Sequence, residues 1–584
     1  MAYVAIVRFD NFSFQYRDSE RPAVANLDLG IQEGQIVLIT GASGAGKTSA
    51  CLAMNGLIPQ LYRGEMKGKV ILHEEVDNKT YPVYALSRIC GLLFQDPDAQ
   101  LVAPTVRDEI AFGPENYCMP PDEIRARIDE LVDLTRLHRY LDRNPHYLSG
   151  GEKQACALAA TLAMSPNVLV LDEPTSNIDP IGTTVVFDLL RKLVKDFNLT
   201  IVIVEHKLEE LMELVDRLVV LDQGRVVLDG NPREVLEQVE QLVELGLSLP
   251  QVTLLMARLR ERGFPVPGLP ATTKEAVSMM KDMLPDPGRT RRAAQAIEFP
   301  FEPAPRVNGE VVVKVEGLRH TYDDGTEALK GIDLEIRRGE FVGILGQNGS
   351  GKTTLVKHLN GLLRPSAGRL WVMGKDTSGM TIAELAAHVG YVFQDPDAQI
   401  FKSKVFEEIA YGPKNLGLPK EEIDARVREA AEAMQITSLL GRNPFFLSKG
   451  EKQRVAVASV LSMKPEMVVL DEPTTGQDQR GSHEIMDLAK ALNQEGKTVI
   501  VITHSMALAA EYCERIVVLK GGTLLLDSPV RETFAAVDIL KESALKPPQL
   551  MLFAQQLSEY GLPGGFRTVE EAVEYFVRLK EALV

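Results

Sequence analysis

The sequence predicts an α/β protein made of two tandem copies of one domain. Each copy is a mostly parallel sheet flanked by helices, with an inserted helical subdomain and a C-terminal helical appendage. Two observations carry this expectation. The first is self-similarity: FQDPDAQ stands at 94–100 and 393–399, LDEPT at 171–175 and 470–474, and RNPHYLSGGEKQ at 143–154 returns as RNPFFLSKGEKQ at 442–453. The second is hydrophobic period, because short β-branched runs such as QIVLIT, NVLVLD and TIVIVEH alternate with longer amphipathic segments.

The elements follow in order. PDEIRARIDELVDL (121–134) and its counterpart KEEIDARVREAAEAM (420–434) have a helical pattern and interrupt the strands, which predicts the inserted subdomain. LPQVTLLMARLRERG (249–263) aligns with PPQLMLFAQQLSEYG (547–561), so each copy ends in its own appendage. The predicted boundaries are a first domain over 1–284 with its appendage over about 231–284, a Pro-rich, irregular linker over 285–308, and a second domain over 309–584 with its appendage over about 529–584.

Composition narrows the class. With 584 residues, 45 % hydrophobic and 25 % charged, the chain is ordinary globular material, and its apolar runs fall far short of the ~20 residues that span a bilayer. The amino terminus, MAYVAIVRFDNFSF, has no basic region followed by an apolar stretch and a cleavage site, which predicts a cytosolic compartment. A formal charge of −17 argues against a nucleic-acid partner, since such binding neutralises phosphates with Lys and Arg. The five cysteines have neither C-x-x-C pairing nor zinc spacing and read as small apolar residues.

Two strings carry phosphate chemistry. GASGAGKT (41–48) follows QIVLIT and GQNGSGKT (346–353) follows EFVGIL, so both match G-x-x-x-x-G-K-[ST] between a strand and a helix. Gly41, Gly44, Gly46, Gly346, Gly349 and Gly351 let backbone N–H groups curl around phosphates, with Ser43, Ser49, Asn348 and Thr354 in or beside the same loops. Lys47 and Lys352 are expected to reach β and γ phosphate oxygens, and the Thr48 and Thr353 hydroxyls to hold Mg²⁺.

Two apolar strands end in paired acids, VLVLDEP and MVVLDEP. Asp172 and Asp471 are expected to support the magnesium shell, and Glu173 and Glu472 to orient or deprotonate the attacking water. Gln95 and Gln394 are candidate metal or water contacts. His206 and His504, recurring at strand ends in IVIVEH and VIVITH, are candidate γ-phosphate groups. Tyr16 and Tyr322, upstream of each lysine, are placed to stack on adenine.

In this order the phosphate loop, the Gln loop, LSGGE, LDEP and the strand-end histidine resemble the ATP-binding cassette superfamily over nearly the whole chain. The resemblance implies two cassettes facing head to tail. Ser149, Gly150 and Gly151 would then contact ATP held on Lys352, and Ser448, Lys449 and Gly450 would contact ATP held on Lys47. FQDPDAQ followed by TVRDEIAFGPEN or KVFEEIAYGPKN, with EPTTGQD, is similar more narrowly to the ATPases of energy-coupling factor importers. That likeness implies a membrane-embedded coupling subunit, a membrane substrate-binding subunit for a vitamin or transition-metal ion, and a peripheral place on the cytoplasmic face of the membrane. The rival class is a soluble tandem cassette ATPase acting on ribosomes.

Lys449 replaces the signature glycine Gly150. If that position needs a positive φ, lysine costs roughly 1–2 kcal/mol there, and the expectation is slower turnover at the Lys47 site. Ala155 in place of Arg454, and SNID at 176–179, are further departures in the first copy.

Overall fold

The protein is described from a computed structural model that covers residues 5–17, 19, 21–175, 180–197, 199–206, 208–209, 211–299 and 309–583. The SNID turn therefore lies outside the described residues. The chain divides into two units, Met1–Ala276 and Val277–Val584.

In the first unit a six-stranded sheet runs in the order Arg225–Gly230, Arg217–Asp222, Ile36–Thr40, Thr200–Val204, Val168–Asp172 and Cys90–Leu93. All neighbours are parallel except the first two strands. IVLIT, VLVLD and TIVIV are buried along their whole length, as expected for parallel strands covered on both faces. A separate antiparallel sheet is built on Ala5–Tyr16, which pairs with Val24–Gln32 and Gly64–Leu72. It alternates buried and exposed residues and packs Phe9, Phe12 and Phe14 into the shared core. The second unit repeats both sheets, with its central strand Phe341–Gly346 between Thr498–Ile502 and Arg515–Lys520.

The inserted helical subdomain is present in both units: Val106–Asn116, Pro121–Thr135 and Gly150–Leu162 in the first, Val405–Asn415, Lys420–Ala433 and Lys449–Leu461 in the second. Each appendage is a group of short helices. In the second unit it is tied to the C-terminal end of the helix Met506–Tyr512 by Arg567, which donates to the carbonyl oxygens of Ala510, Glu511 and Cys513 at 2.7, 3.0 and 2.9 Å.

The segment read as an irregular connector holds a helix, Pro287–Ala296. Asp286 caps it by accepting from the N–H groups of Gly288 and Arg289, and Pro287 sits at the first helical position, where its missing N–H costs nothing. This helix belongs to the second unit: Arg289 donates to the Leu583 carbonyl at 2.6 Å, Arg291 to the Glu559 carbonyl at 2.9 Å, and Phe299 stacks edge-on to Tyr575 at 5.4 Å.

Candidate active site

Both phosphate loops join a central strand to a helix, Lys47–Met54 or Lys352–Leu359. Gly46 and Gly351 precede these helices with φ of 96° and 99°, a left-handed conformation that glycine takes freely. A Cβ on Gly46 would lie 2.3 Å from the Ala23 carbonyl oxygen, so no larger residue fits. Gly44 and Gly349 also have positive φ, but a Cβ there would meet open space, the room a phosphate requires. The Lys47 ammonium donates to the carbonyls of Gly41 and Ala42 at 2.9 Å, and Lys352 makes the same pair of bonds to Gly346 and Gln347 at 2.8 Å.

The three candidate catalytic groups meet in each unit. Gln95 donates to Glu173 Oε2 at 2.6 Å, and His206 Nε2 lies 3.0 Å from Glu173 Oε1. In the second unit Gln394 donates to Glu472 Oε2 at 2.8 Å and His504 Nε2 is 2.8 Å from Oε1. Each glutamate is thus bracketed, one carboxylate oxygen per partner. Both also adopt positive φ, 47° at Glu173 and 49° at Glu472, which costs a non-glycine residue about 1–2 kcal/mol. Their backbone N–H groups are held across the sheet by the Val204 and Ile502 carbonyls at 2.9 and 3.0 Å. The sheet end holds both carboxylates in the same uncommon backbone conformation, and nothing in the letters D-E-P announces it.

The preceding aspartates differ electrostatically from Glu472. Burial pushes the Asp172 carboxyl up to about 6, Glu173 adds to the rise, and the Thr48 hydroxyl and Lys47 ammonium oppose it. Burial likewise raises Asp471. Burial alone would raise Glu472 too, but the hydrogen bond and charge of His504, with Lys352, outweigh it and hold the carboxyl below its usual range.

Tyr16 Oη and Ser49 Oγ lie 3.1 Å apart, and Tyr322 Oη and Thr354 Oγ1 2.9 Å, which brings each aromatic ring beside the start of its phosphate-loop helix. The signature residues form a separate element. Ser149 and Ser448 cap the helices Gly150–Leu162 and Lys449–Leu461, and in each a glutamate three residues on accepts from the cap N–H at 2.8 Å. Lys449 is the first residue of its helix and is not among the positive-φ residues, so the backbone strain anticipated for it does not arise.

Two residues of the site escaped the sequence reading. Tyr391 donates its phenol hydrogen to Asp471 Oδ2 at 2.6 Å, and buried Glu205 accepts from the His206 N–H at 2.9 Å. Their identity is plain in the sequence, but only sheet register makes Tyr391 a neighbour of Asp471.

The family model described as "ABC transporter" matches residues 24–176 and 329–475, once in each unit. A Methanosarcina acetivorans protein assigned as an ABC transporter ATP-binding protein is 41 % identical over 561 residues, 95 % of this chain and 91 % of its own length. A similarly assigned protein of Caldanaerobacter subterraneus subsp. tengcongensis is 39 % identical over 566 residues, 96 % of this chain and 97 % of its own. Among solved structures, a chain of Clostridium perfringens titled cbiO1, part of the ABC transporter complex cbiONQ, shows 41 % identity, covers 40 % of this chain and 94 % of its own, and has a TM-score of 0.37. The chain belongs to the ABC transporter ATPase family. Its two cassettes are ATP-binding, ATP-hydrolysing domains.

Proposed function

We propose that the protein is the ATP-hydrolysing subunit of a membrane importer of the energy-coupling factor type, both cassettes fused in one chain and ATP held at two composite sites between phosphate loop and opposing signature helix. The observation that carries the importer reading is a matched set of exposed apolar side chains. Val102 and Phe112, just after the first Gln loop, and Phe401 and Tyr411, just after the second, are exposed at corresponding positions. Phe401 and Tyr411 stack edge-on at 4.8 Å, with the Lys402 ammonium 4.5 Å from the Tyr411 ring centre. Exposed apolar side chains at matched positions beside the Gln loop, three of the four aromatic, suit the helices of a coupling subunit, which would place the chain on the cytoplasmic face of a membrane.

The residues fit a magnesium ion. Asp172 Oδ1 is buried without a hydrogen-bond partner, and in the second unit the Thr353 hydroxyl lies 3.2 Å from Asp471 Oδ1, so carboxylate and hydroxyl oxygens of the kind this hard cation prefers share one corner. Thr48 with Asp172 and Thr353 with Asp471 would hold it, with Gln95 and Gln394 nearby. When bound, the ion neutralises charge on the β- and γ-phosphate oxygens. The chain's own groups do the rest. Glycine N–H groups and Lys47 or Lys352 hold the phosphates, and Tyr16 or Tyr322 lies against the base. In the head-to-tail pairing that the family resemblance implies, Ser149–Gly151 and Ser448–Gly450 would present helix N-termini to the γ-phosphate. Glu173 or Glu472 accepts a hydrogen bond, then the proton, from the attacking water, while His206 or His504 and the glutamine fix the carboxylate's orientation.

Affinity purification of the tagged chain from membranes tests this reading. Recovery of a polytopic subunit together with a small membrane protein supports it, and cosedimentation with ribosomes in place of membrane retention overturns it.

A further inference from the structure

Among the described residues, the bond between Tyr391 and Asp471 of the second unit has no equivalent in the first. Tyr391 lies on the strand Val389–Val392, opposite Val469 of Met467–Asp471, and therefore on the same face of the sheet as Asp471 two residues further on. Its ring is buried and set edge-on to Phe393 at 4.9 Å, so the hydroxyl has little freedom. With that hydroxyl on Oδ2 at 2.6 Å and Thr353 on Oδ1 at 3.2 Å, both oxygens of Asp471 are held, and Oδ1 is directed to the hydroxyl that shares its proposed ion. The corresponding residue of the first unit is Leu92, on the strand Cys90–Leu93 that pairs with Val168–Asp172. Leucine cannot donate, and Asp172 Oδ1 is buried without a partner.

We propose that Tyr391 is a positioning residue that orients the Asp471 carboxylate for the metal–ATP complex, and that Leu92 leaves the first unit without this support, so the two cassettes bind metal–ATP with unequal affinity. A phenol-to-carboxylate bond of this length is charge-assisted and short. Partners that orient metal-supporting carboxylates typically contribute about 10- to 100-fold in metal affinity. The inference rests on the magnesium role proposed above for Asp172 and Asp471, and concerns what differs between them.

The test uses the full chain carrying Glu173→Gln and Glu472→Gln, so that ATP is bound and not consumed, with Mn²⁺ titrated in the presence of ATP and free Mn²⁺ read by electron paramagnetic resonance. Two classes of site are expected. Tyr391→Phe, which removes one oxygen atom, weakens the tighter class by about 10-fold or more and leaves the other unchanged. Leu92→Tyr tightens the weaker class. A Tyr391→Phe chain that binds ATP and titrates Mn²⁺ like its parent overturns the inference while leaving the ATPase reading intact. A parent chain that takes up no Mn²⁺ with ATP overturns the magnesium roles themselves. Thermal unfolding of Tyr391→Phe at the parental temperature excludes a general packing effect.

Discussion

The side chain of Lys449 covers the backbone of Gly476. A Cβ built on Gly476 would meet Lys449 Cδ at 3.3 Å and Nζ at 3.4 Å, and Gly476 has φ of 73°. The first copy reads Gly150 and Asn177 at these two positions, the latter outside the described residues. In sequence the larger residue of the two is Asn177 in the first copy and Lys449 in the second. Lys449 at a helix start therefore carries no conformational penalty, and its long stem fills the room that Gly476 leaves.

The pair should behave as a coupled unit. Asparagine tolerates the left-handed region, so Gly476→Asn alone acts mainly by pressing on Lys449. ATPase rate and thermal unfolding of Gly476→Asn, Lys449→Gly and the double variant are expected to give a coupling of about 1 kcal/mol, with the double variant closer to the parent than Gly476→Asn is. Additive effects would mean that the two residues are independent.

Asp172 gives a pH prediction with a definite sign. Its pKa rises on folding from 3.8 to about 6, so the folded chain holds the proton more tightly and loses stability as pH climbs through that window. The cost at neutral pH is of order 3 kcal/mol at most. Asp172→Asn should raise the unfolding temperature of the nucleotide-free chain above pH 6 and converge with the parent near pH 4, while ATP hydrolysis falls. A stability gap that grew toward acid pH would contradict the assignment.

The capture of Pro287–Ala296 by the second unit is open to proteolysis. Phe299→Ala removes the ring that meets Tyr575, and cleavage by trypsin at Arg289, Arg291 and Arg292 should accelerate several-fold. An unchanged cleavage rate would show that the arginine-to-carbonyl bonds alone hold the helix.

Much of the site is legible in the sequence because its chemistry is written in residue type and spacing. The phosphate loops require glycine where φ is positive and lysine at a helix start, and LDEP and the strand-end histidines lie at the ends of runs whose β-branched composition marks them as strands. What was hidden depends on neighbours distant in sequence. The positive φ of Glu173 and Glu472 is imposed by the adjoining strand ends, and glutamate itself shows no preference for it. Tyr391 meets Asp471 through parallel register across 80 residues of chain. The helix Pro287–Ala296 was masked by the prolines around it, although Asp286 followed by Pro287 is a helix start when read locally.

ATPase activity of Glu472→Gln and Glu173→Gln, measured separately in the full chain, tests most directly the claim that each bracketed glutamate handles the attacking water. The account predicts a loss of about 10²- to 10⁴-fold from the site that carries turnover. With Leu92 in place of a tyrosine beside Asp172 of the first unit, Glu472→Gln should cost more than Glu173→Gln. Equal losses would contradict the inequality of the sites, and parental activity in both variants would contradict the catalytic assignment itself.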